Sequence, residues 1–221
     1  MKPMHDPQGL EQLIWVLHEH GIETASLPPV NTMPKPGEFI CGLPLDPMLA
    51  KAYTLCNGGT FGDMRLFRGV DDQWGLEQEN AYDNQGSDAR YKSVFRFAVV
   101  DDLAHYLGTV PSLAGTQGLQ PGVMTSDYEF DIFPIASNVD RTFELYALYS
   151  EVRLKTYGSL KWDPHGPHDS IHFPFSFVNE IAQDRDLVQM LEDGRFEALT
   201  APAKDSAEWV KDILAAAHGP K

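Results

Sequence analysis

Apolar residues recur at helical spacing near the start of the chain. Four of them form one stripe: Leu10, Leu13, Ile14 and Leu17. Asp6 is followed by Pro7, a pair typical of a helix start, because aspartate accepts from free N–H groups and proline lacks the one that would stay unbonded. The pattern predicts a helix over residues 7–20.

A second helix is predicted over residues 46–56. Asp46-Pro47 repeats the same start signal, and Leu49, Ala52, Tyr53 and Cys56 follow at helical spacing. Asn57-Gly58-Gly59 is expected to end the helix, since asparagine and glycine tolerate the left-handed conformation of a C-cap. We therefore expect this turn to be a structural hinge between a packed helix and a sheet.

Alternating and apolar runs predict strands at residues 64–67, 91–100 and 103–110. Residues 128–133 alternate apolar with acidic positions, which favours either a strand or an irregular approach to the next helix. That helix is predicted over 138–153, with Ser137 and Asp140 as a capping pair. The proline-rich residues 26–37 and the glycine-containing residues 111–122 are predicted to be connectors.

The C-terminal part begins with a loop rich in glycine, proline and histidine from about residue 156. A helix capped by Ser176 or Asn179 is predicted next, and a last helix near Asp205-Ser206. Trp15 and Trp209 are expected to complete the core. The chain thus predicts an α+β fold, a twisted, mainly antiparallel sheet packed against helices, over residues 1–155. Residues 156–221 are predicted to be a loop plus a helical C-terminal extension packed on the same domain.

The 221 residues carry 17 lysines and arginines against 32 aspartates and glutamates, a net charge of −15. Such a charge disfavours nucleic acid and anionic membranes as partners, because both require basic patches. It favours a basic partner, although simple solubility explains it equally well. Cys41 and Cys56 are too few for a disulfide framework, and Cys56 on an apolar helix face is expected to be inert. With neither a signal-peptide pattern nor an apolar run of membrane-spanning length, we expect a cytoplasmic protein.

A histidine-rich segment is the strongest candidate for chemistry. It contains His165, His168, Asp169 and His172, and imidazole with carboxylate suits zinc, nickel or iron. His168 and His172 would converge on one metal if a helical turn survived between the neighbouring prolines. The alternatives are a metal-dependent hydrolase using His165, His168 and His172, or a polar loop without metal. The metalloprotease, nucleophile-elbow and phosphate-loop motifs are all missing, so we expect no enzymatic step and no cofactor.

Four short segments occur in the order found in the SMI1/KNR4 (SUKH) superfamily. They are Leu43-Pro44, Asn57-Gly58-Gly59, Phe95-Arg96-Phe97-Ala98, and Ile135-Ala136-Ser137 leading to Phe143. The chain resembles this superfamily over residues 1–155. The resemblance implies a protein-binding module, similar to the bacterial immunity proteins that neutralise toxins, often nucleases, by direct contact. Leu43, Pro44, Asn57, Gly58 and Gly59 are then structural residues.

An acidic inhibitor is attracted to a nuclease toxin, which is basic because it must bind phosphate. The candidate contact residues are therefore mostly carboxylates, joined by one tryptophan as an interface anchor. They are Asp71, Asp72, Trp74, Glu77, Glu79, Asp101 and Asp102, with the neighbouring Asp83, Asp88, Asp127, Glu129 and Asp131. The alternative for any one of them is a solvated position without a partner.

Overall fold

The computed structural model describes residues 7–30, 32–70, 75–83, 88–100, 105–126, 130–161 and 170–219. The helices in these ranges are α1 (Gln8–Glu19), α2 (Pro47–Leu55), α3 (Leu76–Asp83), α4 (Val139–Tyr157), α5 (Val178–Ile181), α6 (Arg185–Glu192), α7 (Glu197–Thr200) and α8 (Lys204–His218). The strands are β1 (Thr24–Ser26), β2 (Phe39–Ile40), β3 (Leu43–Pro44), β4 (Gly59–Phe61), β5 (Met64–Leu66), β6 (Phe95–Val100), β7 (His105–Thr109), β8 (Gly122–Ser126) and β9 (Asp131–Ala136).

Seven of these strands form one sheet in the order β1-β4-β5-β6-β7-β8-β9, and every neighbouring pair is antiparallel. β2 and β3 pair with each other as a separate hairpin. The prediction of an α+β fold, with a mainly antiparallel sheet packed against helices, is confirmed.

Three strands of the sheet are buried on both faces. Every residue of β6, β8 and β9 is buried, so the strand predicted over 91–100 has no solvent face. It is also shorter, because Tyr91–Ser93 forms a 3₁₀ turn before β6 begins. The strand predicted over 103–110 is also shorter in the described residues, where it is β7. Of the two alternatives for residues 128–133, the described part favours a strand, because Asp131–Ala136 is β9.

The helix α3 covers β6 and was missed by the sequence analysis. Its Asn80 side chain accepts from the Arg96 backbone N–H at 2.8 Å and donates to the Arg96 carbonyl at 2.9 Å. The Arg96 guanidinium lies 4.1 Å from the centre of the Tyr106 ring. The Asn80 amide therefore pairs with the backbone of the strand, while the Tyr106 ring offers a favourable cation–π contact to the buried guanidinium.

Close backbone approach joins α1 to α4. The Gly9 N–H donates to the Asp140 carboxylate at 2.7 Å. A methyl group on Gly9 would lie 2.2 Å from the Asp140 carbonyl oxygen and 2.7 Å from the Glu144 nitrogen. Only glycine fits at this crossing, since both neighbours are backbone atoms.

The cap of α4 differs from the predicted one. Asn138 is the N-cap, and its side chain accepts from the Arg141 N–H at 3.0 Å. The prediction of a Ser137–Asp140 pair was wrong because Asp140 bonds to α1 instead and the Ser137 N–H donates to Asp184.

Asp46 caps α2 as predicted. One carboxylate oxygen accepts from the N–H groups of Met48 at 2.7 Å and Leu49 at 2.9 Å. The other accepts from the Gln120 N–H at 2.7 Å. Burial raises the pKa of this carboxyl to about 6, although the three N–H donors act in the opposite direction.

The C-terminal helices lie against β9. The Ser206 hydroxyl donates to the Asp131 carboxylate at 2.6 Å, and the indole N–H of the buried Trp209 donates to the Pro134 carbonyl at 2.9 Å. The single helix predicted from Ser176 or Asn179 is two helices, because Asp184 interrupts it and caps α6. The last helix starts at Lys204, close to its predicted beginning.

Replacing Gly9 tests the α1–α4 crossing. We expect Gly9→Ala to destabilise the protein by about 2–3 kcal/mol, because the added methyl group must push two backbones apart. Urea denaturation measures the change, with Gln12→Ala on the exposed face of the same helix as the control. Equal stability of the two variants would contradict the close approach.

Replacing Asp46 tests the buried cap by pH. The folded protein binds this proton more tightly than the unfolded chain, so the group's contribution to stability is greatest below about pH 4 and is lost as pH rises through 6. An asparagine at this position cannot ionise. The difference in unfolding free energy between wild type and Asp46→Asn should therefore change by on the order of 3 kcal/mol between pH 4 and pH 7. Asp205→Asn on the surface of α8 is the charge-matched control, and a pH-independent difference would contradict the raised pKa.

Candidate protein-docking cleft

A cavity of about 300 Å³ opens beside the β2–β3 hairpin, and we call it the hairpin cleft. It lies between this hairpin, the segment that follows β5, and the start of α3. Its lining consists of Thr32, Pro34, Glu38, Phe39, Ile40, Cys41, Gly69, Val70, Leu76 and Glu77.

Apolar and acidic groups share this surface. Phe39 is 71% exposed, more than any other large apolar side chain in the described residues, and Val70 is 42% exposed. Glu38 and Glu77 are also exposed. The lining of the cleft therefore combines an exposed apolar ring with two carboxylates, one of which, Glu38, also accepts from the Lys35 N–H at 2.8 Å.

A tight turn presents Phe39. In the hairpin, Phe39 pairs with Pro44 and Ile40 pairs with Leu43, which leaves Cys41 and Gly42 as the two turn residues. Both have positive φ, at +51° and +84°, as a type I′ hairpin turn requires. The left-handed conformation is unusual for cysteine, so the surroundings must hold it.

The Cys41 thiol ties the hairpin to α3. Its Sγ donates to the Glu77 carbonyl oxygen at 3.2 Å. Burial raises the pKa of this thiol, and the negative charge of Glu77 raises it further. Cys41 is thus a structural contact and a poor nucleophile at neutral pH. Cys56 is buried, as expected, and burial raises the pKa of its thiol as well.

Leu43 and Pro44 form β3, the inner strand of the hairpin. The Pro44 carbonyl accepts from the Gln120 side-chain amide at 2.8 Å, and the Leu45 N–H donates to the Glu38 carbonyl at 2.8 Å. The first bond anchors the hairpin to the rest of the fold through Pro44, and the second closes the base of the hairpin.

The Asn57-Gly58-Gly59 turn leads from α2 into β4, as expected of a hinge. The end of α2 differs from the prediction of a left-handed C-cap within this turn. Cys56 is the C-cap, and its backbone is extended, with φ −153° and ψ 152°. The left-handed conformation comes later, at Gly58 with φ +75°. A methyl group on Gly58 would lie 2.6 Å from the Phe67 carbonyl oxygen, and one on Gly59 would lie 2.4 Å from that of Ala25. Neighbouring backbone thus packs directly against both glycines, so the turn has a structural role.

Asn57 connects this turn to the hairpin cleft. Its side-chain oxygen accepts from the Val70 N–H at 3.2 Å, and its amide nitrogen lies 3.4 Å from the Val70 carbonyl oxygen, to which it donates. The turn therefore fixes the backbone of one apolar residue of the cleft.

The predicted contact residues are distributed unevenly. Glu77 lines the cleft, whereas Glu79 is half-buried and does not. Asp131 is buried and accepts from Ser206, so its prediction as a contact charge was wrong. Asp88 pairs with Arg90, whose guanidinium lowers the pKa of that carboxyl. Several predicted residues lie outside the described residues: Asp71, Asp72, Trp74, Asp101, Asp102, Asp127 and Glu129.

The predicted metal cluster falls largely outside the described ranges, which omit His165, His168 and Asp169. His172 is described, and its backbone forms a turn with Ser176 rather than part of a helix. Within the described ranges, no group of three or more histidine, cysteine, aspartate or glutamate side chains could hold a metal ion.

Two exposed aromatic residues were missed as surface features. Trp15 is 58% exposed, so the prediction that it completes the core was wrong. Phe39 gave no usable signal, since a two-residue strand is too short for alternation to show which side faces solvent.

Comparisons with known proteins add no relative: no protein-family model, curated protein or solved structure matches the chain. In the part of the chain that the structure describes, we find no helix with the length and apolar character needed to cross a bilayer. The membership in the SMI1/KNR4 superfamily therefore stays a prediction from the sequence segments.

Labelling of Cys41 tests the contact between the hairpin and α3. We expect Glu77→Gln to speed reaction of this thiol with a maleimide about two- to threefold at pH 7.5, because removal of the nearby negative charge lowers the thiol pKa. Peptide mass spectrometry separates labelled Cys41 from Cys56. Glu79→Gln removes the same charge without lining the cleft and should leave the rate unchanged. Equal acceleration in both variants would contradict the contact.

Proposed function

We propose that this protein is a non-enzymatic binding module that neutralises a toxin with a basic surface by direct contact. The hairpin cleft is the docking site. The observation that carries the proposal is the exposed Phe39, which lies on a hydrogen-bonded hairpin and lines the cleft together with Glu38 and Glu77. A hydrophobic anchor flanked by charges is typical of protein interfaces.

The anchor supplies affinity. Covering a phenylalanine side chain that is 71% exposed removes a large apolar area from water. That burial is worth about 2 kcal/mol when the partner offers a fitting pocket. The hairpin needs little ordering on binding, because its hydrogen bonds to Gln120 and α3 already fix it.

The negative charge of the protein speeds its association with a partner of positive charge and thereby selects such a partner. A net charge of −15 attracts a basic protein and repels nucleic acid and anionic membranes. A nuclease toxin fits, since it must be basic to bind phosphate. The resemblance to SMI1/KNR4 immunity proteins supports the same function, and the proposal places it in the bacterial cytoplasm, where such a toxin would act.

The experiment begins with site-specific photo-crosslinking in the native host. A photoreactive amino acid replaces Phe39 in one strain and Leu55 in another, because Leu55 is 44% exposed yet does not line the cleft. The proposal expects one basic protein to crosslink at position 39 and not at 55, and expects that protein to be toxic when expressed alone.

Affinity measurements with the purified partner then test the cleft. We expect Phe39→Ala to weaken binding about 10- to 30-fold, because the hydrophobic anchor is lost. Glu77→Gln should mainly slow association, about threefold, because it weakens steering. Leu55→Ala is the control and should bind within twofold of wild type.

Two results would overturn the proposal. One is a partner whose affinity does not depend on Phe39. The other is hydrolysis of an ester, amide or phosphate substrate that a chelator abolishes and that needs His165, His168 or His172, which would favour the metal-dependent hydrolase instead.

A further inference from the structure

A second exposed feature lies on α1, away from the residues that line the hairpin cleft. A groove of about 630 Å³ runs between this helix and the segment that leads into β1. We call it the α1 groove and define it by Glu11, Ile14, Trp15, His18, Ile22 and Glu23.

Helical spacing explains why Trp15 faces outward. Glu11, Trp15 and His18 lie three or four residues apart, so they share one side of α1. The side packed into the core is already complete, with four buried residues: Leu10, Leu13, Val16 and Leu17. Trp15 is therefore not required for packing, and 58% of it remains exposed to solvent.

The end of α1 brings a second carboxylate to the groove. Gly21 has φ +70°, and the Ile22 N–H returns to the Leu17 carbonyl at 2.9 Å. This turn folds the chain back so that the half-buried Ile22 and the exposed Glu23 complete the groove. Glu11 and Glu23 thus come from different segments to the same concave surface as the indole ring.

The stretch of sequence that contains α1 is acidic. Between Lys2 and Lys35 the chain contains no lysine or arginine, while Asp6, Glu11, Glu19 and Glu23 are acidic. The groove lining likewise contains two carboxylates, Glu11 and Glu23, and no lysine or arginine, so it favours a cationic ligand over a neutral or anionic one.

From the ring and these charges we infer that the α1 groove binds an arginine or lysine side chain of a basic peptide segment. The face of an indole ring attracts cations more strongly than the other aromatic rings do. Glu11 and Glu23 add Coulomb attraction, and arginine is preferred over lysine because its planar guanidinium also stacks on the ring. This inference does not depend on the proposed function or on the hairpin cleft.

Short basic peptides test the groove on the full chain. The probes are acetylated, amidated tetra-arginine, tetra-lysine and tetra-glutamate, titrated at 20 mM and 150 mM salt. Calorimetry measures the affinity of every variant, and NMR of the indole N–H signals locates binding in the wild type. We expect tetra-arginine to bind more tightly than tetra-lysine, tetra-glutamate not to bind, and the Trp15 signal to shift.

Charge-matched variants separate the groove from general attraction to an acidic protein. We expect Trp15→Leu to weaken tetra-arginine binding about fivefold and Trp15→Phe to weaken it less. The double variant Glu11→Gln/Glu23→Gln should weaken it about three- to tenfold. Glu19→Gln/Asp205→Asn removes the same charge at exposed positions outside the groove and should change binding less than twofold.

Several results would overturn the inference. They are the absence of tetra-arginine binding at 20 mM salt, unchanged binding by a folded Trp15→Leu variant, and an equal loss in the two double variants. Circular dichroism checks folding, and Trp15→Leu should fold normally because the side chain lies outside the core.

Discussion

The Asp46 carboxylate holds together the parts of the fold on which the hairpin cleft depends. It accepts two N–H groups of α2 and the N–H of Gln120. The Gln120 side chain in turn donates to the Pro44 carbonyl in β3 and accepts from the Thr109 hydroxyl in β7. Helix, hairpin and sheet therefore meet at one buried carboxylate. Its raised pKa shows that burial opposes the charge, yet three N–H groups that would otherwise be buried without acceptors require it.

The backbone at and near the cleft adopts conformations that few residue types tolerate. Cys41 and Gly42 adopt positive φ in the hairpin turn, and Gly58 does so shortly after the end of α2. Each region is held by a neighbour, through the thiol contact with Glu77 and through close passage beside Phe67. The backbone that carries Phe39 is thus held in place, and a partner that bound there would lose little binding free energy to ordering the loop.

The sequence could predict α1, α2 and α4 because each combines apolar periodicity with an identifiable start or end. It could not predict α3, whose run LEQENAYD has few apolar residues and packs through Leu76 and the amide of Asn80. The exposure of Trp15 could not be predicted either, because its neighbours Ile14 and Val16 are partly and fully buried. The apolar face of α1 therefore has no clear boundary in the sequence. Asp131 looked like a surface charge because its buried partner, Ser206, lies 75 residues away.

Three of the buried carboxylates serve the fold itself. Asp46 caps α2, Asp63 accepts from the hydroxyls of Tyr146 and Tyr149 at 2.6 and 3.3 Å, and Asp131 holds α8. Each accepts from groups of the fold itself. None of the three lines the hairpin cleft, and Asp63 lines a separate cavity of about 260 Å³. The carboxylates that line the hairpin cleft, Glu38 and Glu77, are exposed instead, and under the proposed function they would attract a basic partner.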